Sequence, residues 1–155
     1  MAPEDFARAA EPWIRRAVKN PALDPALIAA ILQPRTEKLS DIPDKLDFFD
    51  ALPEYDTELY VHKKSKTDRA VSLDALERVT PRLRALPQWT EEAVGECMTG
   101  LAQELGCKNA RVMWPVRIAV SGRAVTPGGA VELCHILGRE ETLRRLEDGM
   151  ARLRA

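Results

Sequence analysis

The chain has 155 residues, enough for one ordinary domain or two small packed ones, and its 45% apolar and 30% charged residues are the balance of a soluble globular protein. No apolar run approaches the roughly 20 residues that a membrane-spanning helix needs, and Met1–Asp5 lacks the basic then apolar pattern of a secretory signal. A net charge of −1 argues against a uniformly basic nucleic-acid binder, but the charge is uneven: Lys108 onward holds nine Lys/Arg against five Asp/Glu, and the residues before it hold 14 against 19.

Helical spacing dominates the chain. Phe6, Ala10, Trp13 and Ala17 share one helical face, with Pro12 expected to bend that helix. Asp24-Pro25 reads as an N-cap and first-turn proline ahead of Leu27, Ile28, Ile31 and Leu32, and Pro34 interrupts the run. Ser40 is expected to cap a further helix with an apolar stripe of Ile42, Leu46 and Phe49. From Pro53 to Arg69 the periodicity fades into polar residues, which reads as a connector between two helical subdomains.

Ser72 is expected to open the next helix, with Leu73, Leu76, Val79, Leu83 and Leu86 inward, Pro81 kinking it and Pro87 just past its end. Thr90-Glu91-Glu92 is a helix start, a hydroxyl cap followed by two acids that favour the positive end of the helix dipole. Val94, Cys97, Met98, Leu101 and Leu105 form its stripe, and Gly106 suits its end. Val116–Val120 alternates like a short strand, while Pro115 equally suits a helix's first turn. The last helix follows Gly138, with Leu143, Leu146, Met150 and Leu153 inward and the pairs Glu140–Arg144 and Glu141–Arg145 on its outside.

A catalytic constellation is not visible. The chain has no Gly-x-Ser-x-Gly, no His-Glu-x-x-His and no phosphate loop, so no catalytic residue is assigned. Cys97, Cys107 and Cys134 form no Cys-x-x-Cys pattern and read as reduced thiols. Adjacent Cys134 and His135 diverge on a helix, so no metal site is expected. Lys63-Lys64-Ser65-Lys66-Thr67 looks like the ATP-holding loop of class I synthetases, but no nucleotide-binding α/β pattern surrounds it. It reads as a solvated basic connector, with contact to a phosphate as the alternative.

Met113-Trp114-Pro115-Val116-Arg117-Ile118-Ala119-Val120-Ser121-Gly122, then Val125-Thr126-Pro127-Gly128, then Ile136-Leu137-Gly138-Arg139-Glu140 resembles bacterial glutamyl-tRNA synthetase. Trp89-Thr90-Glu91-Glu92 is similar to that family's Trp-Thr helix start. Gln33-Pro34-Arg35 through Ile42-Pro43, with Asp47-Phe48-Phe49, resembles its earlier helix pair. The likeness implies the C-terminal, all-α anticodon-binding part, in two small helical subdomains of residues 1–70 and 71–155, and it favours a helix over Pro115–Val120.

The implied partners are the anticodon loop of tRNA-Glu and the enzyme's own catalytic domain, with neither membrane nor DNA. The implied location is the cytoplasm. ATP and Mg2+ belong to the catalytic half that ligates glutamate to tRNA-Glu, and no cofactor belongs to this part. By the same resemblance Arg35 inspects the third anticodon nucleotide, Arg117 faces the anticodon, and Thr126-Pro127-Gly128 forms a turn against the bases. Trp114 and Arg123 are further candidates for a base or phosphate contact; Trp13 and Trp89 are assigned to the core. One departure is Gly129-Ala130, where the family carries a large apolar residue, with one extra residue before Leu137-Gly138. A helical protein-interaction module, or a free-standing paralogue of such a tail, is the alternative function.

Overall fold

Local capping chemistry sets most of the helices. In the computed structural model, which describes residues 2–36 and 38–155 apart from the side chains of Arg35 and Asp41, the chain is all-α among the described residues. Helix α1 (Pro3–Ala17) has proline in its first turn, where no amide donor is needed, and its acids at Glu4 and Asp5 and arginines in its last turn suit the helix dipole. Helix α2 (Pro25–Leu32) is capped by Asp24, whose carboxylate accepts from Ala26 N at 2.9 Å. A 3-10 turn over Gln33–Arg35 follows.

The helix expected from Ser40 is broken instead. Ser40 lies inside a 3-10 turn (Leu39–Asp41), followed by α3 (Ile42–Lys45) and α4 (Asp47–Asp50). The reason is packing. Ile42, Leu46, Phe48 and Phe49 are all buried, and one straight helix cannot turn both Phe48 and Phe49 to the face shared by Ile42 and Leu46. The break at Leu46 reorients the pair. Asp50 then accepts from Lys19 N and Asn20 N, closing the end of α1 onto α4.

The stretch from Pro53 to Arg69 is more ordered than a connector. It holds a 3-10 turn (Thr57–Tyr60), and Tyr60 is fully buried with its hydroxyl 2.7 Å from that of Tyr55. Helix α5 (Arg69–Arg84) opens three residues before the expected Ser72, because the Asp68 side chain accepts from Val71 N at 2.7 Å. Ser72 is buried and donates to Tyr60 O. Helix α6 (Glu91–Leu105) has the expected Thr90 cap, accepting from Ala93 N at 3.0 Å, and the expected left-handed Gly106 end.

Helix α7 (Asn109–Ser121) settles the ambiguous segment as helix, with Pro115 in its interior rather than its first turn. Helices α8 (Ala130–Leu137) and α9 (Arg139–Arg154) complete the chain. Helices α5, α7 and α9 pack on one another, α6 lies against α7 and α8, and α1–α3 form an adjoining layer. One apolar cluster runs from Phe6 to Leu153 through all of them. Trp13 and Trp89 are half-buried against it, with Trp89 Nε1 donating to Cys134 O at 2.9 Å. No helix among the described residues is long and apolar enough to cross a membrane.

Arg145 overturns the expectation of a surface pair. It is fully buried, and besides Glu141 it donates to the carbonyls of Phe48 and Val120, each at 2.7 Å, and of Phe49 at 3.2 Å. Glu141 also binds Arg144 at its outer edge, so the observed partner of Arg144 is three residues away, not Glu140. Helix α9 therefore ties α4 to the last turn of α7.

Candidate nucleic-acid interface

The sequence-predicted residues fall into one cluster and two outlying positions. Helix α7 ends at Gly122, whose φ of +65° suits glycine, and reverses the chain into residues 123–129. Ser121 supports the reversal, donating to Arg117 O at 2.7 Å and accepting from Arg123 N at 3.1 Å. Arg117, one turn earlier, reaches across the loop. Its Nη1 donates to Thr126 Oγ1 at 2.8 Å and its Nη2 to Ala124 O at 2.6 Å. Its Cζ stands 4.7 Å from the centre of the Trp114 ring. Burial among these groups lowers the Arg117 pKa, but a guanidinium stays charged under any ordinary condition.

Thr126 accepts from Arg117 and donates to Gly128 O, so its hydroxyl is committed within the loop. Thr126, Pro127 and Gly128 are all buried. A Cβ on Gly128 would stand 3.3 Å from Ile31 Cγ2, so the turn seats directly on α2, four residues before Arg35. The Arg35 side chain lies outside the described residues; its backbone closes the Gln33–Arg35 turn.

Trp114 is half-buried, donates from Nε1 to Leu59 O at 2.8 Å, and stacks on His62 with ring centres 3.7 Å apart and planes 7° from parallel. Within the chain, His62 and Arg117 both lie against its ring. Arg123 diverges from this cluster and pairs with Asp47, so contact with a phosphate competes with that carboxylate. A pocket of about 340 Å3 opens there, lined by Asp44, Lys45, Asp47, Phe48, Arg123 and Val125 together with Thr126 and Pro127.

Two features of this face were not read from the sequence. Val125 is 87% exposed, the most solvent-exposed large apolar side chain among the described residues, and it projects from a loop otherwise anchored inward. Its signal was there: an apolar residue between two glycine-bearing turns. His62 carried no such signal, because its stacking partner lies 52 positions away in the chain. The chemistry on offer is a fixed guanidinium, an exposed apolar tip and an adjacent pocket, which suits the edges and faces of unstacked bases better than acid–base catalysis. Among the described residues no group of His, Cys, Asp and Glu side chains is arranged to hold a metal.

Comparison with known proteins agrees in outline. A family model described as "Anticodon binding domain" matches residues 5–150. A glutamate–tRNA ligase of Clostridium kluyveri is 47% identical over 152 residues, 97% of this chain and 31% of that protein. One from Clostridium tetani is 44% identical over 97% of this chain and again 31% of the relative. Among solved structures, a glutamate tRNA ligase from Elizabethkingia meningosepticum, in complex with its amino acid, superposes with a TM-score of 0.76 at 22% identity. It covers 99% of this chain and 30% of that one, a likeness of fold. The chain thus spans about 31% of the length of the curated relatives.

Proposed function

Because the chain belongs to the anticodon binding domain family, we propose that it binds the anticodon loop of tRNA-Glu as part of a glutamate–tRNA ligase. The remainder of such an enzyme would hold ATP and Mg2+, ligate glutamate to the tRNA and be this part's second partner. The observation that carries the reading is the Arg117–Thr126–Trp114 cluster beside the exposed tip of Val125. A guanidinium held on two sides presents its remaining donors in a fixed direction, so little side-chain freedom is lost when a base edge accepts from it. Thr126, Pro127 and Gly128 act mainly by setting the loop, and Val125 supplies apolar contact to a splayed base. Arg35, on the turn that follows the Ile31 contact, is assigned to the third anticodon position, with Trp114 orienting Arg117 and Arg123 near the strand. The division into subdomains 1–70 and 71–155 belongs to the same reading; the fresh start of α5 at the Asp68 cap supports it.

The test is a titration of the chain with RNA hairpins bearing glutamate and glutamine anticodons. The glutamate hairpin is expected to bind more tightly, and Arg35→Gln to reduce that preference by about 1–3 kcal/mol, the range of a good base contact. Equal affinity of the unaltered chain for both hairpins would remove the assignment.

A further inference from the structure

The segment Lys63–Thr67, read from sequence as a connector, is a built turn. His62 and Thr67 exchange backbone hydrogen bonds of 3.1 Å across an antiparallel bridge, and Lys66 N donates to Lys63 O. Ser65 and Thr67 are buried, hydrogen-bonded respectively to His62 Nδ1 at 2.8 Å and to Tyr60 O at 2.7 Å. Closing the turn puts Lys66 at φ +56°, the only positive φ among the described non-glycine residues and a conformation uncommon for a lysine. The lysines therefore leave a fixed frame.

That frame sets Lys64 and Lys66 across a pocket of about 300 Å3 from Lys108 and Arg111, with Ser65, Gly106 and Cys107 completing the lining. No carboxylate lines it. Among the described residues none of these four cations forms an ion pair, whereas ten arginines elsewhere do. Helix α7 starts in the same place, with no side chain capping its amides and no acid in its first turn, so its positive end adds to the field. Four unpaired positive charges gathered in a chain of net charge −1 repel one another unless an anion joins them.

The pocket adjoins the cluster described above. Arg111, Trp114 and Arg117 follow one another along α7, a span of about 9 Å along the axis. His62, at the root of the lysine turn, stacks on Trp114. We propose that the pocket of Lys64, Lys66, Lys108 and Arg111 holds backbone phosphates of the RNA strand whose bases face Arg117 and Val125. Such contacts fix the register of the strand and carry no sequence information. The proposal rests on the RNA-binding reading above.

The experiment titrates the 155-residue chain with a hairpin carrying the glutamate anticodon and one with a scrambled loop, across a salt series. The triple variant Lys64→Gln, Lys66→Gln, Arg111→Gln is compared with the unaltered chain. The expected result is equal weakening for both hairpins, about 100-fold at about 0.1 M salt, with the log–log salt slope shallower by about 2. Preference for the cognate loop should persist. An unchanged slope with cognate preference intact overturns the pocket and leaves the anticodon reading standing. Equal binding of both hairpins by the unaltered chain, with the slope still falling in the variant, sinks the anticodon reading and keeps the pocket as a backbone site. Competition by inorganic phosphate or a polyglutamate peptide as effective as by RNA would also overturn it. Should the triple variant lose helicity by circular dichroism, the single exposed change Lys64→Glu reads the same slope.

Discussion

Replacing Arg145 by methionine is the sharpest test of how the helices are held together. Methionine keeps much of the buried volume but has no donor, so the carbonyls of Phe48, Phe49 and Val120 lose their partner inside the protein. Val120 lies in the last turn of α7, where the helix leaves its own carbonyls unbonded. A hydrogen bond to a charged group contributes about 1.5–3 kcal/mol, and breaking a buried ionic arrangement costs about 3–5 kcal/mol. We expect a loss of about 4 kcal/mol, a large part of the ~5–15 kcal/mol that holds a typical domain, and a fall in Tm of about 10 °C. Urea unfolding followed by far-ultraviolet circular dichroism measures it. Arg145→Lys should fall between, because an ammonium keeps the charge without the guanidinium fork. An Arg145→Met variant within about 1 kcal/mol of the parent would mean that these bonds contribute little beyond what packing supplies.

Gly122→Ala should destabilise by about 1–3 kcal/mol in the same assay, because the residue sits at φ +65° and a Cβ would stand 2.9 Å from Tyr55 Cδ1. A neutral result would show that the chain does not reverse after α7 through a left-handed Gly122 packed on Tyr55. Glu141 is held at a pKa of about 2, chiefly by its hydrogen bond to Arg144, with burial opposing and Arg145 reinforcing. A depressed carboxylate contributes stability above its unfolded pKa, near 4.5, that is lost as pH falls toward about 2. Acid unfolding should therefore be blunted in Glu141→Gln; an identical acid limb would contradict the pairing. Val125→Ser should change stability by less than about 0.5 kcal/mol, since the side chain is 87% exposed, yet weaken hairpin binding several-fold. Loss of both together, or of neither, would remove Val125 from the interface.

What could be read from the sequence was what is decided within a few residues. Asp24-Pro25, Thr90 and Gly106 set helix ends through their nearest neighbours, and those ends stand where the pattern put them. Arg117 and Thr126 were picked out nine positions apart, and one hydrogen bond joins them. Long-range partners were not legible. Arg145 at four-residue spacing from Glu141 looks like any surface pair, because nothing local reveals that its acceptors lie 96 and 97 residues earlier. The same holds for Lys63–Thr67, whose polar side chains suggested a slack linker while Tyr60 O, from the preceding turn, was the group ordering Thr67 and Ser72. Ser72 lost the capping role to Asp68, which is nearer the true start and carries the more favourable charge.

Arg145 also sets a timetable. Since α9 supplies the donor for carbonyls at Phe48 and Phe49, 97 and 96 residues before Arg145, those groups wait, during synthesis, until α9 has emerged from the ribosome. Helix α4 is thus made with an open seam, closed only when α9 arrives. Closure of so long a span is slow relative to helix growth.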